Sequence, residues 1–175
     1  MQSSLKKVIS GGQWGADITG ILAAANAGLE TGGYAPAKYQ TIGGPFPELA
    51  GFGLVDSGLG YVGRTELNIQ NSDGTIILVY DPTSPGTKTA RQFLQKHQKP
   101  FLMVDLNEMD SEFHRKTSIK HCLDFIVKNQ VQTLNIAGNR KYEGFLDRTI
   151  HQFLLDIFAI LGYTTVNNKK NSIQE

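Results

Sequence analysis

Three short runs carry the residue types best suited to chemistry: Gly11-Gly12-Gln13-Trp14-Gly15, Ser84-Pro85-Gly86-Thr87 and Gly138-Asn139-Arg140. Each follows an apolar, β-type run, and the first two open a helical pattern directly. A glycine turn that starts a helix exposes backbone N–H groups at the positive end of the helix dipole, which favours an anion. Lys38, Arg64, Lys88 and Arg140 add cations nearby. Together the three turns point to a phosphate-like or oxyanion ligand. Tight strand-to-helix turns also use glycine simply to reach positive φ, and this plainer use stands beside the ligand reading at each turn.

Other side chains qualify individually. Asp17 falls in the first helical turn, where a carboxylate suits the dipole and where it also meets a ligand hydroxyl or amine. Arg64, Asn68 and Asn71 share one helical face at i, i+4 and i+7, as a crevice lining or as a solvated stripe. Asp81 and Asp105 end strands, a favoured place for a magnesium ligand or general base. Trp14 either stacks on a planar ring or covers the sheet edge, and Tyr34 is a second candidate for ring contact. Ser72-Asp73-Gly74 precedes a strand and reads as turn formation. His97, His114, His121 and His151 lack metal-ligand spacing, so no structural metal is expected. Cys122 sits on an apolar stripe as a core residue. The first turn reads G-G-x-x-G rather than G-x-G-x-x-G, and no acidic residue ends the second strand to hold a ribose, which argues against a nicotinamide dehydrogenase. Gly86-Thr87-Lys88-Thr89 lacks the order and spacing of a P-loop.

The elements that must position these residues follow from hydrophobic period. Short β-type runs occur at 7–10, 31–35, 75–80, 101–105 and 133–137. Helical stripes include Ile18, Ile21, Leu22, Ala25 and Leu29; Ala90, Phe93 and Leu94; Ile119, Cys122, Leu123, Ile126 and Val127. The clearest runs from Leu146 through Ile150, Phe153, Leu154, Ile157 and Phe158 to Leu161, with Gly162 as its stop. A short polar helix fits 64–71, and residues 37–61 form a long Gly- and Pro-rich connection of the kind that is usually functional or mobile. Strands alternating with helices predict one α/β domain, a doubly wound, mostly parallel Rossmann-like sheet of about five or six strands with helices on both faces. The domain spans 1–166, followed by a polar tail at 167–175. Such a sheet gathers the loops after its strands along one edge, where ligands bind.

Composition narrows the function. The 175 residues carry 17 Lys+Arg and 16 Asp+Glu, a net of +1 that argues against nucleic-acid and membrane attraction. Fourteen of the 19 glycines fall in the first 63 residues, partly in the first turn and partly in the long connection, with Gly20 and Gly28 in the first helix and its end. A single cysteine excludes a disulfide framework within the chain. No apolar run approaches a membrane span, and 1–7 shows no signal-peptide pattern. A soluble cytoplasmic protein is expected.

At these motifs the chain resembles a known family. Val8-Ile9-Ser10-Gly11-Gly12-Gln13 with Gly15-Ala16-Asp17, Thr31-Gly32-Gly33 with Pro36, Gly44-Pro45-Phe46-Pro47, Arg64-Thr65 with Asn68, Ser72-Asp73-Gly74-Thr75, and Leu134-Asn135-Ile136-Ala137-Gly138 with Arg140 are similar, in order, to the molybdenum-cofactor carrier family. The resemblance implies a Rossmann-like fold related to the phosphoribohydrolases and other nucleotide-ligand binders. It also implies a homo-oligomeric carrier or binding protein for the molybdenum cofactor or another phosphorylated pterin or nucleotide. The candidate ligand-binding residues are Gly11, Gly12, Gln13, Trp14, Gly15, Asp17, Arg64, Asn68, Gly86, Thr87, Lys88, Gly138 and Arg140. Trp14 stands where the family usually has threonine, and Pro85-Gly86-Thr87 lacks one of its paired glycines. The glutamate that phosphoribohydrolases carry shortly after glycine-threonine is missing, since Lys88, Thr89, Ala90, Arg91 and Gln92 follow. Glu66, Asp81 and Asp105 are the remaining acid/base candidates for a nucleotide-processing enzyme. A partner-binding module whose glycines only shape turns is the third reading.

Overall fold

A computed structural model of the chain describes residues 4–141 and 144–164. The polar tail at 167–175 and the first three residues of the N-terminal segment lie outside them. In chain order the strands are β1 (Lys7–Ile9), β2 (Glu30–Ala35), β3 (Gln40–Thr41), β4 (Gly44–Pro45), β5 (Leu54–Asp56), β6 (Gly74–Val79), β7 (Phe101–Asp105) and β8 (Thr133–Gly138). β3 and β4 pair with each other in an antiparallel ribbon, and the other six form one parallel sheet in the order β5-β2-β1-β8-β6-β7. The helices are α1 (Ala16–Asn26), α2 (Tyr61–Gln70), α3 (Pro85–Lys96), α4 (Glu112–Lys128) and α5 (Arg148–Ile160).

β6 shows why the sheet is covered on both sides. All six of its residues are buried, as its unbroken apolar run requires. Successive side chains point to opposite faces. Ile76 and Leu78 join the core built with α1, α4 and α5, including the fully buried Phe153 and Phe158. Ile77 and Val79 join Ile69 of α2 with Ala90 and Leu94 of α3. The result is a three-layer α/β sandwich of the Rossmann-like kind. Cys122 belongs to the first core, and burial pushes its thiol up to about 12.

The long connection holds more structure than its composition suggests. Ala37–Tyr39 and Pro47–Phe52 are short 3-10 turns, the β3–β4 ribbon lies between them, and β5 adds the sheet's edge strand beside β2. Leu49 and Leu54 bury against Ile18, Ile21 and Ala35, so the segment docks on α1. At the far end of the sheet, Asp73 Oδ2 accepts from Gln132 N and Thr133 N. That carboxylate ties the start of β6 to the start of β8, the structural role its turn signature predicts. No helix among the described residues is long and apolar enough to cross a membrane.

Candidate functional site

The three glycine turns meet at the C-terminal ends of β1, β6 and β8, and their states differ. In the first, Gly12 and Gly15 take φ of 72° and 106°, values open to glycine at little cost. Two of its five amides, and that of Ala16 just after it, donate within the protein. Gly12 N–H donates to Ser10 Oγ, Gln13 N–H to Asp17 Oδ2, and Ala16 N–H to Asn139 O. Gly11 serves a packing role, because a Cβ there would overlap the Arg64 guanidinium. Arg64 in turn reaches Asp17 Oδ2 from Nη1 at 3.2 Å, and both residues are buried. Burial raises the Asp17 carboxyl above the usual carboxylate range, with Arg64, the Gln13 N–H and Arg140 pulling the other way. Burial likewise lowers the Arg64 guanidinium, opposed by Asp17.

The turn after β6 is open. Ser84 caps α3 by accepting from Thr87 N–H, with Pro85 in the first helical turn where its missing N–H is harmless. Gly86 is exposed, with nothing within 4 Å of where a Cβ would stand. Asn139, from the third turn, holds this one in place. Its Oδ1 accepts from Tyr80 N and Asp81 N, and its Nδ2 donates to Asp81 O and Ser84 Oγ. The third turn also crosses the first, where Gly15 and Arg140 form an antiparallel bridge.

Between the turns and the start of α2 lies a cavity of about 600 Å³. Its floor includes Gln13, Asp17, Arg64 and Ile77, and its mouth includes Gly86, Arg140 and Lys141. Arg140 lies 4.5 Å from the Tyr61 ring centre and Lys141 lies 4.3 Å from that of Tyr80, both cation–π distances. Tyr80 donates its hydroxyl to Asp147 Oδ2 at 2.9 Å, and burial with that carboxylate pushes its phenol up to about 12.

Of the residues expected from sequence, Gln13, Asp17, Arg64, Asp81, Gly86, Thr87, Gly138 and Arg140 line this cavity. The others lie around it. Gly11, Gly12 and Gly15 shape the first turn, and Trp14 packs against Phe46 of the long connection with ring centres 5.0 Å apart. Asn68 is buried and bonds Tyr34 through both N–H and C=O. With Arg64 also buried, the α2 stripe is not a solvated face until Asn71. Lys88 is exposed on α3, outside the lining. Glu66 accepts from Lys96 and His97 at 2.7 Å each, which lowers its carboxyl and keeps it on the far side of α2. Asp105 accepts from Asn107, away from the cavity. Tyr61, Tyr80 and Lys141 are lining residues that spacing alone did not single out. Their only signal is position, one at the start of α2 and the others next to strand or turn ends.

A parallel sheet with a cavity at its C-terminal edge defines a Rossmann-like α/β protein, and sheets of this kind commonly bind ligands at that edge. The chain belongs to the circularly permutated YpsA SLOG family, whose family model matches residues 8–158. It is also similar to a crystal structure from Syntrophus aciditrophicus SB described as a "Putative molybdenum carrier protein". Sequence identity is 29%, the TM-score is 0.77, and the match covers 92% of this chain and 97% of that one. No curated protein matches. The structural likeness and the sequence's resemblance to the molybdenum-cofactor carrier family agree.

Proposed function

We propose that the chain is a binding or carrier protein that holds a small phosphorylated ligand, the molybdenum cofactor or another phosphorylated pterin or nucleotide, in the cavity at the strand ends. One observation carries the reading. The open Gly86 turn shares a cavity of about 600 Å³ with Arg140 and Lys141, neither of which makes a salt bridge among the described residues. That volume falls within the range of about 300–1,000 Å³ usual for small-molecule sites. Two cations resting on aromatic faces are free to turn toward an anion, and Gly86 lets a phosphate approach the α3 backbone closely. The first turn has two amides in use and the Arg64 guanidinium seated over Gly11, so the phosphate end of the ligand belongs at Gly86, Thr87, Arg140 and Lys141. The base or ring then points inward. The relative described as a molybdenum carrier supports the same ligand class.

Native mass spectrometry of protein purified without added ligand tests this. A bound phosphorylated pterin or nucleotide mass is the expected result, and Arg140→Ala with Lys141→Ala lowers affinity by at least about tenfold. Protein that emerges empty and then takes up no phosphorylated pterin or nucleotide overturns the proposal.

A further inference from the structure

The cavity floor has its hydrogen bonds only half made. Asp17 Oδ2 accepts from both Gln13 N and Arg64 Nη1, leaving Oδ1 without a hydrogen bond among the described residues. Gln13 Nε2 donates to Gln40 O at 3.0 Å, which fixes the amide and leaves its buried Oε1 unpaired. Arg64 Nε is a buried donor with no acceptor. Buried polar atoms in native proteins are normally paired, and exceptions are few and call for a reason. Here one buried acceptor, Gln13 Oε1, and one buried donor, Arg64 Nε, lack a partner beside an Asp17 Oδ1 that makes no hydrogen bond among the described residues, and all three residues line one cavity.

We propose that this floor reads the ligand's ring and selects a 2-amino-4-oxo-pyrimidine edge, the N–H₂, N–H and C=O array shared by guanine and pterin. The inference rests on the reading that a phosphorylated ligand enters this cavity. A ring edge with two donors beside one acceptor complements the open set: the donors go to Asp17 Oδ1 and Gln13 Oε1, and the carbonyl goes to the Arg64 guanidinium. The pairing edge of adenine offers one N–H₂ donor beside a ring-nitrogen acceptor and leaves one acceptor of the floor unmet. A ribose diol has two donors but no flat faces, whereas Ile77, Ala90 and Ala137 give the inner cavity apolar walls. A ligand ammonium is disfavoured because Arg64 and Arg140 already act on Asp17.

Calorimetric titration of the full chain with GMP, IMP, AMP, ribose 5-phosphate, guanosine and hydroxymethylpterin, with and without a phosphate on the pterin, separates the alternatives. GMP is expected to bind at least about tenfold tighter than IMP, which lacks the 2-amino group, and tighter again than AMP or ribose 5-phosphate. Whichever of GMP and the pterin phosphate binds tighter identifies the source of the ring. Asp17→Asn, checked by thermal melting, removes the preference for GMP over AMP. Equal affinities across the phosphorylated panel overturn the ring selection and leave the phosphate-holding function standing. Selective binding of guanosine and hydroxymethylpterin with no gain from phosphate supports the ring selection and overturns the phosphate end. Binding by none of the panel overturns both, and these wild-type measurements decide the matter even where Asp17→Asn fails to fold.

Discussion

The turn after β1 has three glycines in five residues and the turn after β6 has one, yet the glycine-poor turn is the one with room in it. In the first, the protein has supplied its own anion: the Asp17 carboxylate accepts the Gln13 amide, and the Arg64 guanidinium lies over Gly11. In the second, Ser84 satisfies one amide and Gly86 faces open space. The same local chemistry of glycine and free N–H groups therefore serves closure in one place and access in the other. What decides between them is whether a buried ion pair from elsewhere in the chain fills the concavity. Glycine content marks a place where the backbone comes close to something, and the partner has to be found in the tertiary structure.

The largest effects should come from reopening the closed turn. Gly11→Ala forces the Arg64 guanidinium off its seat, and Arg64→Ala removes it. Either leaves Asp17 buried without its cation, a loss of about 3–5 kcal/mol. Urea unfolding of both variants checks this, and a Gly11→Ala protein within about 1 kcal/mol of wild type would mean that the pair is dispensable. Next comes the link between the turns. Asn139→Ala withdraws the acceptor of two backbone N–H groups and the donor to Ser84, for an expected loss of about 2 kcal/mol. It should also loosen the open turn, seen as faster amide exchange at Tyr80 and Asp81. Ser84→Ala, which removes the α3 cap and only one of the four Asn139 hydrogen bonds, should cost about 1 kcal/mol as an ordinary helix cap does.

The two turns also carry aspartates whose carboxyls shift in opposite directions. Burial raises Asp17 from 3.8, whereas the Thr83 hydroxyl and N–H lower Asp81 from the same value. Asp17 therefore contributes stability that is full below about pH 3.8 and lost as pH rises through its folded value. Asp81 does the reverse: its contribution is present above the ordinary value and lost as pH falls through its lowered one. Carboxyl-carbon NMR titration should find Asp17 above and Asp81 below 3.8. Both on the same side of that value would erase the contrast between the buried and exposed turns.

The sequence was most legible where one local pattern decided the outcome. The continuous run at Thr75–Tyr80 could only suit a strand covered on both faces, and β6 is one. The stripe from Ile150 to Phe158 specifies α5 for the same reason. β5 escaped because it has three residues, of which only Leu54 is buried, inside a glycine-rich segment without period. Its pairing with β2 is tertiary. At the site, convergence of the turns was readable from the parallel topology, but their states were not. Gly11 looks like a flexible residue until Arg64, 53 positions later in the chain, is seen lying on it. Trp14 looks like a ring-stacking residue until Phe46 is found beside it. Lys141 carries no signal beyond its charge, because the partner that gives it meaning is the Tyr80 ring at the end of another strand.

The smallest expected change in stability comes from the substitution that most sharpens the contrast. At Gly11 a methyl group has no space, and at Gly86 it has nothing within 4 Å. Gly86 also lies in the first turn of α3 with no positive φ, so alanine there needs no strained backbone. Gly86→Ala should therefore leave stability unchanged or raise it by about 0.4–1 kcal/mol, through lower entropy of the unfolded chain. The added methyl nevertheless stands on the surface where a phosphate must approach the α3 backbone, so ligand affinity should fall. A variant that melts no lower than wild type yet binds the phosphorylated ligand at least about tenfold more weakly would show that Gly86 is kept for access rather than for folding. If affinity is unchanged, the α3 turn does not touch the phosphate, and the anion must be held by Arg140 and Lys141 alone.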